Sequence, residues 1–334
     1  MTPKQLQQTL QQLIEHQLRL SVMIWGPPGV GKSSIVAQVA QQAGVECIDV
    51  RLSQLAPTDL RGLPVADEGI SRWYPPEFLP RDGEGILFMD EINMAPPAMQ
   101  GVAQQLILDR KVGSYEVPDG WYIWAAGNRK EDRAAVFDMP APLANRFIHV
   151  ETGPDFDSFK AYALRQEMHE QVIAFLSYRP TLLHKMNPND PRWPSPRSWE
   201  MASKLHHAGM DVSISVGDGP AAEFRAFCAL YEKIPDVQAI ISGKSKPEFP
   251  KEPSMRYGMV LALTARAKTG EQALNALRYL SEKAPTEWVQ LYAADAIPLL
   301  RSSGKLAQLS KLLKEEPALK DFMVRFRELM GMGR

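Results

Sequence analysis

Short apolar runs alternate with helix-like repeats of apolar residues along the first half of the chain. The apolar runs predict strands at residues 21–25, 46–52, 85–90, 121–127 and 147–151. Between several of these runs, apolar residues recur with the period of a helix, most clearly at 33–43 and 96–109. Because the runs alternate with helices, we expect an α/β fold whose largely parallel sheet is covered by helices on both faces.

The amino terminus carries the signals of a helix start. Thr2 is a suitable N-cap, Pro3 fits the first helical position, and Gln5 lies where a capping box closes. Leu6 and Leu10 then follow at helical spacing. These residues predict a helix ahead of the first strand.

The pattern changes near Gly153 and Pro154. Beyond them helical periodicity dominates, with helices predicted at 156–178, 221–233 and 271–283. A polar, proline-rich stretch at 243–253 indicates a second break. We therefore expect three domains, an α/β domain at 1–153 and two helical regions at 154–243 and 244–334.

Composition narrows the class of protein. The 334 residues are 45% hydrophobic and 23% charged, which is ordinary for a globular chain of two or three domains. The net charge of −1 argues against a broad nucleic-acid surface but leaves a local basic patch open. Cys47 and Cys228 give neither a disulfide framework nor metal-ligand spacing. The start has no apolar signal core and no run approaches the roughly 20 apolar residues of a membrane span, so we expect a cytoplasmic protein.

The segment Gly26–Ser33 has the sequence GPPGVGKS, which fits the phosphate-binding loop G-x-x-x-x-G-K-[ST] between a predicted strand and a predicted helix. Glycines let the backbone approach phosphate oxygens, and the helix start supplies N–H donors. Lys32 is expected to reach the β- and γ-phosphates, and the Ser33 hydroxyl to ligate Mg²⁺. The expected nucleotide-binding residues are Gly26, Pro27, Pro28, Gly29, Val30, Gly31, Lys32, Ser33 and Ser34.

Two adjacent acids end the apolar run at 86–90. A bound nucleoside triphosphate brings Mg²⁺, which needs a carboxylate at the carboxyl end of a neighbouring strand. Asp90 is at that position and is expected to hold the metal together with Ser33. Glu91 is then available as the general base that polarises the attacking water. A pair of acids after a strand is more often a helix cap, but the phosphate loop favours the catalytic interpretation.

The sequence AAGN at 125–128 places an amide at the end of another predicted strand. Asn128 is either an ordinary turn residue or the group that orients water against the γ-phosphate. Spacing alone does not choose between these two interpretations.

Together, these segments resemble an AAA+ ATPase, with GPPGVGKS as Walker A, ILFMDE as Walker B and AAGN as sensor 1. LANRF at 143–147 is similar to the segment that carries the arginine finger, which implies Arg146. SPRSW at 195–199 is similar to the start of the sensor 2 helix, which implies Arg197. The resemblance implies a P-loop parallel sheet at 1–153, a helical lid at 154–243 and a helical extension at 244–334. It also implies Mg²⁺-dependent ATP hydrolysis.

Within AAA+ proteins the chain most resembles the MoxR family, through LAPTDLRGL at 55–63 and DEINMAPPAMQ at 90–100. The resemblance implies two inserted hairpins, one within 58–80 and one near 111–118, with Trp73 and Tyr74 contacting a client or packing under the loop. It further implies chaperone-like remodelling with a von Willebrand factor A domain partner. An arginine finger acts across a heterologous interface, which makes a ring if its rotation closes, so we expect a homohexamer that is either closed, open or dependent on nucleotide.

Other functions stay open. Relatives in the same branch move or cut DNA, and a local cluster of basic residues would suit that role: Lys111, Arg129, Lys130 and Arg133. The same residues would serve equally as a solvated face or as ion pairs, and we expect nucleic acid not to be the partner. A nucleotide-gated scaffold and the motor subunit of a metal chelatase are further alternatives.

Overall fold

The computed structural model describes residues 1–132, 136–187, 189–314, 316 and 319. The chain divides into two units, Met1–Asp155 and the part from Phe156 onward. The division falls two residues beyond the expected end of the first domain at 153. The three-domain organisation itself stays a prediction.

The first unit contains a sheet and the helices that cover it. Its strands are β1 (Val22–Trp25), β2 (Glu46–Arg51), β3 (Leu63–Asp67), β4 (Ile70–Tyr74), β5 (Gly85–Asp90), β6 (Lys111–Val112), β7 (Tyr115–Glu116), β8 (Trp121–Gly127) and β9 (Ile148–Glu151). Its helices are α1 (Pro3–Glu15), α2 (Lys32–Ala43), α3 (Pro57–Arg61), α4 (Pro97–Asp109) and α5 (Ala141–Ala144).

Among the described residues, five strands form one parallel sheet in the order β2-β5-β8-β1-β9. Each apolar run that predicted a strand forms one, with ends that differ by no more than one residue. The expected α/β fold with a helical C-terminal portion is therefore confirmed. Every residue of β5 and β8 is buried, as expected for central strands with helices on both faces.

Alternation along the strands divides the core into two layers. Ile86 and Phe88 of β5 face the helices α1 and α2, whereas Leu87 and Met89 face α4.

The predicted capping box of α1 is confirmed: Thr2 Oγ1 accepts from the Gln5 backbone N–H, and the Gln5 side chain accepts from the Thr2 N–H.

Two hairpins leave the sheet where insertions were expected. β3 pairs with β4, and β6 pairs with β7. Trp73 is half-buried beside the second hairpin, where the Ser114 hydroxyl donates to the Trp73 carbonyl at 2.6 Å. Tyr74 is 55% exposed. The two aromatic side chains therefore have different environments, since one packs and the other is presented to solvent.

The second unit is helical. Its helices are α6 (Phe156–Arg165), α7 (Glu170–Tyr178), α8 (Pro196–His207), α9 (Ser213–Val216), α10 (Asp218–Tyr231), α11 (Val237–Ile241), α12 (Pro253–Arg266), α13 (Gly270–Lys283), α14 (Thr286–Ser302) and α15 (Leu306–Leu313). Helices on both sides of residue 243 contribute to one hydrophobic core, for example Ile240 and Leu263.

The prediction of one helix over 156–178 was wrong. The chain breaks between α6 and α7, where Glu167 has a φ of 50° and His169 caps α7 by accepting from the Gln171 N–H. No Gly or Pro marks this break in the sequence. Tertiary packing overrides the local helical pattern there, because Met168 is buried in the core between the two helices.

A buried ion pair joins two helices of the second unit. The ammonium of Lys160 on α6 lies 2.8 Å from a carboxylate oxygen of Asp295 on α14, and both side chains are about 90% buried. Burial raises the pKa of Asp295, while the neighbouring Lys160 opposes the shift.

Within the described residues, no helix is long and apolar enough to cross a membrane.

Candidate functional site at the carboxyl ends of the central strands

The phosphate-loop sequence connects the end of β1 to the start of α2. Gly29 and Gly31 have φ values of 82° and 94°, which side-chain-bearing residues rarely adopt. Gly26 is required for a different reason. A Cβ at this residue would lie 2.4 Å from the Thr152 carbonyl oxygen at the end of β9. The tight turn and the close approach together explain the glycines of the motif.

Lys32 reaches back over this loop from the first turn of α2. Its ammonium donates to the carbonyls of Gly26 at 2.7 Å and Pro27 at 3.2 Å, and to Asn128 Oδ1 at 2.8 Å. The side chains of Lys32 and Asn128 are both buried. The ammonium therefore lies between the loop and the end of β8, where it could contact a phosphate group bound in the loop.

Ser33 and Asp90 meet across the gap between α2 and β5. The Ser33 hydroxyl donates to Asp90 Oδ2 at 2.5 Å, and Asp90 is 8% exposed. Hydroxyl and carboxylate oxygens are ligands that Mg²⁺ prefers in proteins. This pair beside a phosphate-binding loop offers oxygen ligands that fit a magnesium ion, and its role as the metal site stays a prediction.

Glu91 occupies a constrained backbone conformation directly after β5. Its φ of 55° lies in the left-handed region, which is uncommon for a residue with a side chain. The Glu91 N–H donates to Asp90 Oδ1 at 2.9 Å, and Glu91 Oε2 accepts from the Ser53 hydroxyl at 3.0 Å. This turn directs the two neighbouring carboxylates to different partners, Asp90 to Ser33 and Glu91 to Ser53.

The negative charges of Asp90 and Glu91 affect the pKa of an acid on the neighbouring strand. Burial raises the pKa of Asp49 on β2, Asp90 and Glu91 raise it further, and Arg51 opposes the shift. A region with this electrostatic character suits a cation such as Mg²⁺.

Asn128 is held at the end of β8 by another asparagine. Asn93 Nδ2 donates to the Asn128 carbonyl at 2.7 Å, and Asn93 Oδ1 accepts from the Asn128 N–H at 3.2 Å. The sequence marked Asn93 only as part of a family-like segment. Ser53, the partner of Glu91, gave no sequence signal, since nothing in its neighbourhood predicts that β2 ends beside β5.

Arg146 and Arg197 take no part in these hydrogen bonds. Arg146 follows α5 in the first unit, and Arg197 lies in the first turn of α8 in the second unit, after the N-cap Ser195. Both are exposed, and neither guanidinium has an ion pair or hydrogen bond within the described part of the chain.

The turn before Arg146 is tied to the strand that leads into the phosphate loop. His149 Nε2 lies 2.7 Å from the carbonyl of Ala144, and the Trp25 indole donates to His149 Nδ1 at 2.9 Å. Since a carbonyl only accepts, the proton of a neutral His149 is on Nε2. Trp25 is the last residue of β1, so the arginine segment is anchored beside the loop that follows it.

The basic cluster is largely neutralised by acids. Lys111 forms an ion pair with Glu116 at 3.3 Å. Arg129 forms a bidentate ion pair with Asp132. Lys130 forms an ion pair with Asp138. Hydrogen bonding to Asp132 is the main cause that raises the pKa of Arg129. Arg133 lies outside the described residues. The other three residues match the expectation of ion pairs more closely than that of a nucleic-acid surface.

The sequence matches a known family over this same region. Residues 22–132 match AAA, the ATPase family associated with various cellular activities. The chain is also 27% identical to Midasin of Giardia intestinalis over 138 residues, which are 39% of this chain and 3% of Midasin. The chain thus spans only a small part of this curated relative.

Solved structures give weaker likenesses. NtrX of Brucella abortus in complex with ADP is 16% identical, with a TM-score of 0.40, over 93% of this chain and 67% of that chain. A RuvB mutant of Thermotoga maritima is 17% identical, with a TM-score of 0.40, over 87% and 86%. The family match nevertheless means that residues 22–132 form an AAA ATPase family domain.

The close approach at Gly26 makes a prediction. Gly26→Ala should lower the free energy of unfolding by about 1–3 kcal/mol, because the new methyl group meets backbone rather than a movable side chain. It should also weaken ATP binding, measured as the rise in Tm on adding ATP and Mg²⁺.

Gly101→Ala is the matched control. Gly101 lies on the exposed face of α4, and a Cβ there meets no atom within 4 Å. This variant should be more stable by about 0.4–1 kcal/mol and bind ATP normally. If Gly26→Ala behaved like Gly101→Ala, the close approach to Thr152 would not explain the glycine.

Proposed function

We propose that this protein hydrolyses ATP with Mg²⁺ and uses the energy to remodel other proteins. The observation that carries the proposal is the convergence of Lys32, Ser33, Asp90 and Asn128 around one phosphate-binding loop. Lys32 would contact the β- and γ-phosphates, and Ser33 and Asp90 would hold Mg²⁺. When bound, the metal supplies positive charge that neutralises the phosphate oxygens.

The remaining roles follow from position. Glu91 would accept a proton from the attacking water, and Asn128 would orient that water against the γ-phosphate. Arg146 would stabilise charge on the phosphoryl group bound by a neighbouring subunit, and its exposed guanidinium, which has no ion pair among the described residues, supports this role. Arg197 is at the fixed start of α8, within the proposed lid at 154–243, and this lid would report the change to the hairpins. Residues 244–334 would serve as an extension.

Assembly follows from the role of Arg146. A contact that brings Arg146 of one subunit to the nucleotide of the next joins two different surfaces, and repeated contacts of this kind form a ring if the rotation between subunits closes. We propose a homohexamer of the MoxR type.

The exposed apolar residues of the first hairpin, β3–β4, favour a protein as the client. Leu63 and Tyr74 are opposite each other in the register of β3 and β4, and they are 68% and 55% exposed. Ile70 on the same hairpin is 57% exposed. An exposed apolar surface of this kind favours protein contacts. Together with the ion-paired basic cluster, it favours protein remodelling over a nucleic-acid motor, with a von Willebrand factor A domain protein as the proposed partner.

The role of Glu91 is tested by Glu91→Gln. This variant should bind ATP with an affinity near that of the wild type but hydrolyse it about 10²–10⁴-fold more slowly, because an amide cannot accept the proton. Steady-state phosphate release and ATP binding measure the two effects. Glu84→Gln, an exposed carboxylate at the opposite end of β5, should turn over normally. Wild-type turnover by Glu91→Gln would refute its assignment as the base.

Mixing two inactive variants tests whether Arg146 acts between subunits. Arg146→Ala keeps its own nucleotide site, while Lys32→Ala keeps the arginine but loses the phosphate contact. Each should be inactive alone. An equal mixture should regain about a quarter of the wild-type rate, because random assembly places the complementary faces together at that frequency.

The mixing experiment has a control for charge. Arg81→Ala removes another exposed arginine of the same unit and should retain full activity. If the mixed variants stayed inactive while assembling normally, Arg146 would not act across the interface. If Arg146→Ala alone turned over normally, the arginine would have no part in hydrolysis.

The partner is tested with the slow variant. Glu91→Gln in ATP should hold the assembled state, so a pull-down with a tagged chain should retain a von Willebrand factor A domain protein in ATP and lose it in ADP. Mass spectrometry identifies what is retained. Retention of nucleic acid, removed by nuclease and weakened steeply by salt, would instead favour the motor alternative.

A further inference from the structure

Asn93 lies in the first turn after the paired acids, in the short 3-10 helix Ile92–Met94, and is 3% exposed. Its side-chain amide uses both of its polar ends on a single target, the backbone of Asn128. The nitrogen donates to the Asn128 carbonyl, and the oxygen accepts from the Asn128 N–H. This two-point contact imitates the pairing of a neighbouring strand at the place where β8 ends.

The surroundings are fitted to this contact. A Cβ on Gly127 would lie 2.5 Å from Asn93 Oδ1, so a side chain at 127 would push the amide away. Two residues before Asn93, the left-handed backbone conformation of Glu91 sets the direction in which the chain enters the 3-10 helix that carries Asn93. The position of the Asn128 backbone thus depends on Asn93, and the position of Asn93 depends on the turn that carries Glu91.

A third segment joins at the same residue. The Asn93 carbonyl accepts from the Phe137 N–H at 2.7 Å. Phe137 precedes α5, and the turn after α5 carries Arg146. One buried residue is therefore bonded both to the end of β8 and to the segment that leads to the exposed arginine.

Burial of an amide is costly unless both polar ends are bonded, and an apolar residue would fill a core position more cheaply. Asn128, in turn, bonds Lys32 through its own side chain. We infer that Asn93 is a positioning residue, which holds Asn128 against Lys32 and makes the Glu91 turn, Asn128 and the segment before Arg146 move together. The inference rests on the proposed ATPase function and adds to it the residue that couples its parts.

A double-mutant cycle tests the inference. Asn93→Ala should leave ATP affinity and KM within about threefold of the wild type, because it removes no phosphate contact. It should lower kcat by about 10²-fold, the size expected when a catalytic group is misplaced. In an Asn128→Ala background the same change should lower kcat by less than about twofold, because the side chain that Asn93 positions is already gone.

Two further variants separate positioning from packing. Asn93→Asp keeps the shape but replaces the donor with an oxygen that faces the Asn128 carbonyl, so kcat should fall at least as far as in Asn93→Ala. Gln100→Ala removes another fully buried amide, which donates to the Ala95 carbonyl and has no bond to Asn128. It should lower Tm without lowering kcat.

The outcomes distinguish this inference from the proposed function. If the wild-type chain does not hydrolyse ATP, the proposed function fails first. If the wild type is active and Asn93→Ala lowers kcat equally in both backgrounds, or not at all, the coupling is overturned.

If the variants fail to fold, a measurement on the wild-type chain tests the inference instead. Amide hydrogen exchange of Asn128 and Phe137 should slow together when ATP is added, because both amides bond to Asn93. Independent responses of the two amides would overturn the inference.

Discussion

The candidate nucleotide site depends on the parallel pairing of β1, β5 and β8, which brings the carboxyl ends of these strands to one edge of the sheet. Segments far apart in sequence meet there: the phosphate loop follows β1, Asp90 ends β5 with Glu91 directly after it, and Asn128 directly follows β8. If β5 or β8 were shifted by one residue, the side chain of Asp90 or Asn128 would turn to the other face of the sheet. The chemistry of the site is therefore a consequence of strand register.

Polar groups at this edge satisfy one another across strand boundaries. Lys32, Asp90 and Asn128 are each about 90% buried, and each bonds to a partner from another element. In a buried setting such bonds are strong and an unpaired group is costly, so movement of one member disturbs the others.

The sequence predicted the elements well where periodicity was local and strong. The strands of the sheet and the capping box at Thr2 follow from neighbouring residues alone. The helix over 156–178 failed because Met168 packs into the core and breaks a pattern that carried no Gly or Pro. Trp73 and Tyr74 had no separate signals, and only the packing of the second hairpin against the first distinguishes them.

The sequence by itself determined the phosphate loop, the two acids that end a buried strand, and the alternation that requires a parallel sheet. These features are set by residues next to one another, which is why a linear pattern reveals them. Tertiary structure alone decided that Asn93 holds Asn128, 35 residues away, and that Ser53 holds Glu91, 38 residues away. Those contacts depend on strand order and register, and no local pattern specifies which distant backbone a buried side chain will meet.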